Sequence, residues 1–406
     1  MTLSEKESLA GSVRKEEVWK LCEELVANPS HVGIEDRERG VALALKEYLE
    51  DTNCLLELQE VEEGRPNFLA VLPAKGAAPP FTKEDPLRGG LTLNGHMDTV
   101  PPAGMEEPYA PVRREGKIFG RGIADMKGAL GAMAVAMKTI ADSGIELEKN
   151  LILAGVVGEE TGSPGMVRLL ESERWLPEFC LVGEPTELKL GMAHKGIEWL
   201  KIETKGEPAH ASTPDLGVNA IDHMAKLINR LNEKMAPLLQ GRSHPLLGHP
   251  TFNIGKIEGG EESNIVAPSC QIDVDRRWLP QESVESLMGE FQEVIDELED
   301  ELEGFRAKIT RGPLSKVKHG PFEGDKEGRL AESLRQAIGL HRGEEPEEIG
   351  LDFWTDGALA QDAGIETLIF GPGSGDQAHT KEEYASMEQL VEAAEIYCRL
   401  GLDLCS

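Results

Sequence analysis

The chain is short of positive charge. Its 406 residues carry 42 Lys and Arg against 73 Asp and Glu, a formal charge of −31. Such an acidic surface repels phosphate backbones and anionic headgroups, which argues against nucleic acid and membrane partners. The excess is spread along the sequence and is densest over 290–303. Long apolar runs are missing too, and none approaches the ~20 residues that a spanning helix requires. The opening residues, Met1-Thr2-Leu3-Ser4-Glu5-Lys6, lack the apolar core of a secretory signal. Cysteine is sparse: Cys22, Cys54, Cys180, Cys270, Cys398 and Cys405 form no C-x-x-C pair. That scatter argues against a thiolate zinc site or a disulfide framework and favours a reducing compartment. A cytoplasmic location is the expectation.

Two catalytic signatures are absent as well. No serine is flanked by glycines at both G-x-S-x-G offsets, so a serine nucleophile elbow is not expected. Gly371-Pro372-Gly373 follows an apolar run, but the rest of a dinucleotide-binding fingerprint is missing.

What is present is the pattern of a globular enzyme. Apolar content of 40% with 28% charged residues suits a packed core, and the length points to two domains. Val18, Leu21, Cys22, Leu25 and Val26 recur at helical spacing and predict a helix over 16–27. A second helix is expected over 38–50. Strand-like runs follow at 68–72, 91–94, 151–157 and 180–182, with an Ala- and Met-rich helix over 128–141 among them. Alternating strands and helices imply an α/β fold with a mostly parallel sheet covered on both faces. The middle of the chain changes rhythm: strand 199–204, helix 218–235, strands 251–257 and 270–276, helix 283–302, strand 306–310. That β-α-β-β-α-β order is ferredoxin-like. The α/β pattern then resumes with helix 328–340, strand 367–371 and helix 387–400. Residues 1–192 and 313–406 are therefore expected to form one domain, with 193–312 an inserted α+β domain. Residues 75–86, rich in Pro and Gly, read as a surface loop.

Acids and histidines gather where apolar runs end. Gly95-His96-Met97-Asp98 follows one run, Gly158-Glu159-Glu160-Thr161-Gly162 another, and Gly183-Glu184 a third. An α/β sheet presents ligands at such strand ends. Asp98 sits where it can orient the His96 imidazole. Asp125, in Gly122-Ile123-Ala124-Asp125-Met126-Lys127-Gly128, is either a helix cap or a carboxylate bridging two cations. Glu159 and Glu160 point to opposite sides if the chain is extended there, so one suits a metal and the other a general base. With His379, in Gly375-Asp376-Gln377-Ala378-His379, the set is two histidines and three carboxylates, suited to zinc, cobalt or manganese.

Read together, GHMDTVPP, GRGIADMKG, GEETGS, GEPT and GPGSGDQAH resemble, in order, the motifs of the dizinc aminoacylase/carboxypeptidase family of metallopeptidases, the group of acetylornithine deacetylase and succinyl-diaminopimelate desuccinylase. The resemblance implies two divalent metal ions, zinc first and cobalt or manganese as alternatives. His96, Asp125 and Glu184 would hold one, and Asp125, Glu160 and His379 the other. It implies Glu159 as general base, Asp98 as the group orienting His96, and His210 as an oxyanion donor, often in the partner subunit's site. Arg277 and Asn264 would bind the substrate carboxylate, with Arg276 the neighbouring choice. The expected fold is a catalytic domain plus an inserted lid that dimerises. The expected reaction is hydrolysis of an N-acyl amino acid, with acetylornithine deacetylase the nearest match at the 371–379 turn. Desuccinylase, general deacylase and dipeptidase or carboxypeptidase activities stand as alternatives, and a non-catalytic binding protein on the same fold is the remote one.

Overall fold

The computed structural model describes residues 2–77, 79, 81–84, 86–312, 315 and 317–406. Two compact units emerge. The first joins Met1–Met192 with Gly324–Ile349 and Thr355–Ser406; the second joins Ala193–Glu323 with Gly350–Trp354.

In the first unit the strands lie in the order Leu55–Glu62, Arg65–Leu72, Leu151–Val156, Leu91–His96, Phe179–Val182, Glu366–Ile369, then Leu190–His194, whose last two residues belong to the second unit. The middle four are mutually parallel, and the flanking strands pair antiparallel. Every residue of Leu91–His96 and Leu151–Val156 is buried, as expected of parallel strands covered on both faces. The Ala- and Met-rich helix Gly128–Asp142 packs against Lys15–Ala27 and Met387–Cys405 in one continuous core. Register aligns the strand ends: His96 lies opposite Val156, and Asn94 opposite Val182. The segments carrying His96, Glu159 and Glu184 therefore leave the sheet at one edge. Among the described residues no helix is long and apolar enough to cross a membrane. The loop expected over 75–86 lies partly outside the described residues.

The second unit has an antiparallel sheet in the order Thr251–Gly259, Ser269–Trp278, Gly196–Lys205, Ala307–Arg311. Helices Ala220–Gln240 and Val284–Glu301 share its apolar core. This is the ferredoxin-like order read from periodicity. The unit runs past residue 312, however, to Glu323, and takes in Gly350–Trp354. Aromatic contacts explain the difference. Trp354 packs edge-on against His319 and donates from Nε1 to the Gly320 carbonyl at 2.9 Å, while His194 stacks on Phe322. Single aromatics spread over the sequence carry no periodic signal.

Two glycines give a test of this packing. Gly90 enters the central strand with φ +88°, and a Cβ there would lie 1.8 Å from the Asn150 carbonyl oxygen. Gly289 sits inside Val284–Glu301 with open space around it. Gly90→Ala should destabilise by more than ~1 kcal/mol, whereas Gly289→Ala should stabilise by about 0.5–1 kcal/mol. Denaturant titration of both variants checks this; a neutral Gly90→Ala would contradict the fold at that strand entry.

Candidate metal centre

Asp125 is held between two histidines. Its Oδ1 lies 2.9 Å from His96 Nε2, and its Oδ2 lies 3.2 Å from His379 Nε2. His379 Nε2 is also 3.0 Å from Glu160 Oε1, and His96 Nε2 is 3.8 Å from Glu184 Oε1. Ligand atoms of His96, Asp125 and Glu160 all lie within 4.8 Å of one another. Asp125 is thus the one of these acids with an oxygen on each imidazole, and the trio His96, Asp125 and Glu160 takes members from both expected ligand sets.

Local backbone explains the placement. Gly122, at φ +84°, turns the chain into Ile123–Lys127, where Asp125 has φ −130° and ψ 92°. Lys127, not Asp125, is the N-cap of Gly128–Asp142, and it makes no side-chain cap bond. The capping alternative for Asp125 therefore fails. Glu159 and Glu160 lie in the single 3-10 turn Glu159–Thr161 rather than on extended chain.

Asp98 does more than face the His96 imidazole. Its carboxylate accepts from the backbone N–H groups of Gly158 (2.9 Å), Glu159 (3.1 Å) and Glu160 (3.1 Å). His96 Nδ1 instead pairs with the Asp98 backbone carbonyl at 2.9 Å, while the nearest carboxylate oxygen is 3.6 Å away, too far for a hydrogen bond. Asp98 thus holds the turn that carries Glu159 and Glu160, and fixes the His96 ring through its main chain.

The electrostatics are those of crowded acid. Burial, reinforced by the charge of Glu184, pushes the Glu159 carboxyl well above its ordinary pKa. Burial and the neighbouring Asp125 do the same to Glu184. Burial works against a charged His96, but Asp125, Asp98 and Glu184 outweigh it and raise the imidazole. Hydrogen bonds that His379 donates to the carboxylates of Asp125 and Glu160 lift it to about 10. Burial would raise Asp125, yet the two histidines beside it bring it well below the carboxylate range.

Among the described residues, buried charged groups around this centre escape sequence reasoning, Arg121, Lys127, Asp356 and Glu383 among them. Asp356 is 1% exposed and pushed up to about 7, chiefly by burial. Lys127 donates to the Asn28 carbonyl at 2.7 Å and is lowered to about 7 by burial. Burial is their common signal, and none of them stands out from the exposed charges in a sequence this acidic.

The remaining expected residues lie in the second unit. Ala211 N–H donates to the Asn264 carbonyl, and His210 bridges Ile265, so His210 and Asn264 sit on adjoining segments. Ser212 N–H donates to His210 Nδ1 at 3.2 Å, which puts the proton of a neutral ring on Nε2. Neighbours on a strand face opposite ways: Arg276 is fully buried against Glu282 and Glu290, whereas Arg277 is one-third exposed and paired with Asp275. Arg277 is the accessible one of the two.

Comparison with known proteins places the chain in a family. The chain is 31% identical over 393 residues to an acetylornithine deacetylase of Edwardsiella ictaluri, covering 94% of this chain and 96% of the relative. A second acetylornithine deacetylase, from Photorhabdus laumondii, is 29% identical over 400 residues, covering 95% and 97%. In fold the chain is similar to a tripeptidase of Staphylococcus aureus, with a TM-score of 0.76 at 23% identity, covering 96% of this chain and 98% of that one. A dinuclear metal-binding peptidase of Bacillus subtilis superposes with a TM-score of 0.70 at 14% identity, covering 96% and 98%. Residues 92–403, a span that contains every acid and histidine described above, match the profile of peptidase family M20/M25/M40, and the chain belongs to that family.

Proposed function

We propose that the chain hydrolyses the amide bond of an N-acyl amino acid, with N-acetylornithine the leading substrate, using two divalent cations of which zinc is the first choice and cobalt or manganese the alternatives. The observation that carries the reading is Asp125, one oxygen toward each histidine. The relatives named acetylornithine deacetylase support the choice of substrate. His96, Asp125 and Glu184 would hold one cation, and Asp125, Glu160 and His379 the other; their imidazole and carboxylate donors fit zinc, cobalt and manganese alike. When bound, the cations supply Lewis acidity, making water a better acid and polarising the amide carbonyl.

The chain's own groups do the rest. Glu159 takes a proton from the attacking water and returns it to the leaving amine. Asp98, through three amide hydrogen bonds, fixes the turn from which Glu159 reaches. His210 would donate from Nε2 to the developing oxyanion, and Arg277 with Asn264 would receive the substrate carboxylate. In the second unit, Thr251–Gly259 is an edge strand with Ile257 exposed. That edge supports a homodimer through this unit, in which His210 would serve the partner's site.

The test is a hydrolysis screen of N-acetyl, N-succinyl and N-formyl amino acids and dipeptides with added zinc, cobalt or manganese. The expected result is fastest turnover of N-acetylornithine, with Glu159→Gln slower by about 10²–10⁴ while still holding metal. Turnover of no member of the panel would sink the reading. Succinylated substrates turning over fastest would move it to a desuccinylase.

The pKa shifts also make a pH prediction. Glu159 and Glu184 are raised from 4.5, and His379 from 6.5 to about 10. Groups raised on folding stabilise fully below their unfolded pKa, and that stability is lost as pH rises through the folded value. Chelator-treated protein should therefore lose stability upward from pH 4.5, and cations that bind the deprotonated ligands should restore it. The Tm gain on adding zinc should grow between about pH 6 and about pH 8. A gain that shrinks over that range in differential scanning fluorimetry would contradict the site's electrostatics.

A further inference from the structure

His379 and Asp125 are 254 residues apart by their numbers, yet they meet on one hydrogen-bonding distance. One buried carboxylate joins their loops. Glu383 accepts from the N–H groups of Gly122 (2.9 Å), Ala124 (2.9 Å) and Asp125 (3.3 Å), so it cradles the turn that presents Asp125. Its own backbone carbonyl accepts from Gly120 N–H at 3.2 Å, and the next residues, Tyr384–Ser386, pair with Lys117–Phe119. Arg121 completes the clamp: Nη1 meets Glu383 Oε2 at 2.6 Å, while Nη2 donates to the carbonyls of Thr380 (3.0 Å) and Pro102 (3.3 Å). Thr380 adjoins His379, and Pro102 lies on the loop that follows His96 and Asp98. Both side chains are almost wholly buried.

We propose that Glu383, paired with Arg121, is a positioning residue that sets the Asp125 turn against the His379 loop and so fixes the spacing of the shared metal donors; this rests on the two-cation reading above. The argument is stereochemical. Three amides and a guanidinium converge on two oxygens, so only an acceptor at both positions satisfies them. A glutamine presents one oxygen and one NH₂, which sets donor against donor on one side and lets the turn rotate. An aspartate keeps the charge but is one methylene short. Groups that orient ligands in this way typically change metal affinity about 10–100-fold when removed.

The experiment is cobalt(II) binding to full-length wild type, Glu383→Gln and Glu383→Asp, by chelator competition with visible absorption read alongside. Glu282→Gln in the second unit, which disturbs the buried Arg276 pair, controls for lost stability. The expected result is at least ~10-fold weaker cobalt binding and an altered visible spectrum for Glu383→Gln, with kcat falling more than KM rises. Glu282→Gln should keep wild-type affinity even where its Tm falls as far. Should Glu383→Gln not fold, Glu383→Asp is read by the same criteria. Wild-type affinity and spectrum in the Glu383 variants would overturn the proposal, as would an equal loss in Glu282→Gln. Wild type that takes up no cobalt would instead overturn the two-cation reading, and this proposal with it.

Discussion

Buried negative charge at the ends of the parallel strands is the constraint on which the rest of the molecule depends. Asp98, Asp125, Glu159, Glu160, Glu184 and Asp356 cluster around two imidazoles, and several of them are almost wholly buried. Unpaired charges in such a place cost several kcal/mol each, so each carboxylate must find donors, keep a proton or hold a cation. Asp98 takes the first course, with three amides. Asp125 is flanked by both histidines. The raised pKa values of Glu159 and Glu184 are the strain that remains. Divalent cations would relieve it at Glu184 directly and at Glu159 through their field.

The sheet explains why the acids can be gathered at all. Parallel strands leave one edge together, so short turns after Leu91–His96, Leu151–Val156 and Phe179–Val182 converge without long connections. Asp125 and His379 do not follow that rule. They come from longer loops, stitched together by the pairing of Tyr384–Ser386 with Lys117–Phe119 and by the buried Arg121–Glu383 pair. The centre therefore combines two modes of support: strand ends for His96, Glu160 and Glu184, and a clamped loop pair for Asp125 and His379.

Legibility in the sequence followed the same division. The run at 151–157 is visible because a strand buried on both faces is apolar throughout, and the structure has Leu151–Val156 there; Leu91–His96 is marked by fewer apolar residues, with Thr92 and Asn94 buried among them. The ferredoxin-like unit is visible because its helices and strands alternate buried with exposed positions, as Ser269–Trp278 does without a break. Leu55–Glu62 is harder to see: it is half-buried with an irregular pattern. Among site residues, His96, Glu160 and Glu184 stand near glycines at the ends of strand-like runs, whereas Asp125 and His379 lie in glycine-containing loop motifs. Asp98's grip on the amides of Gly158, Glu159 and Glu160 could not be read, because main-chain donors leave no residue signature. Glu383 was hidden for the opposite reason, as one more acid in Lys381-Glu382-Glu383.

Metal stoichiometry is the direct measure of whether Asp125 would serve two cations. Wild-type protein and Asp125→Asn, loaded with zinc and dialysed, would be measured by elemental analysis for metal per chain. Two zinc ions per chain are expected in wild type and loss of both from the variant, since an amide cannot bridge as a carboxylate does. Asp125→Asn that still holds two, or that loses only one, would contradict the bridge.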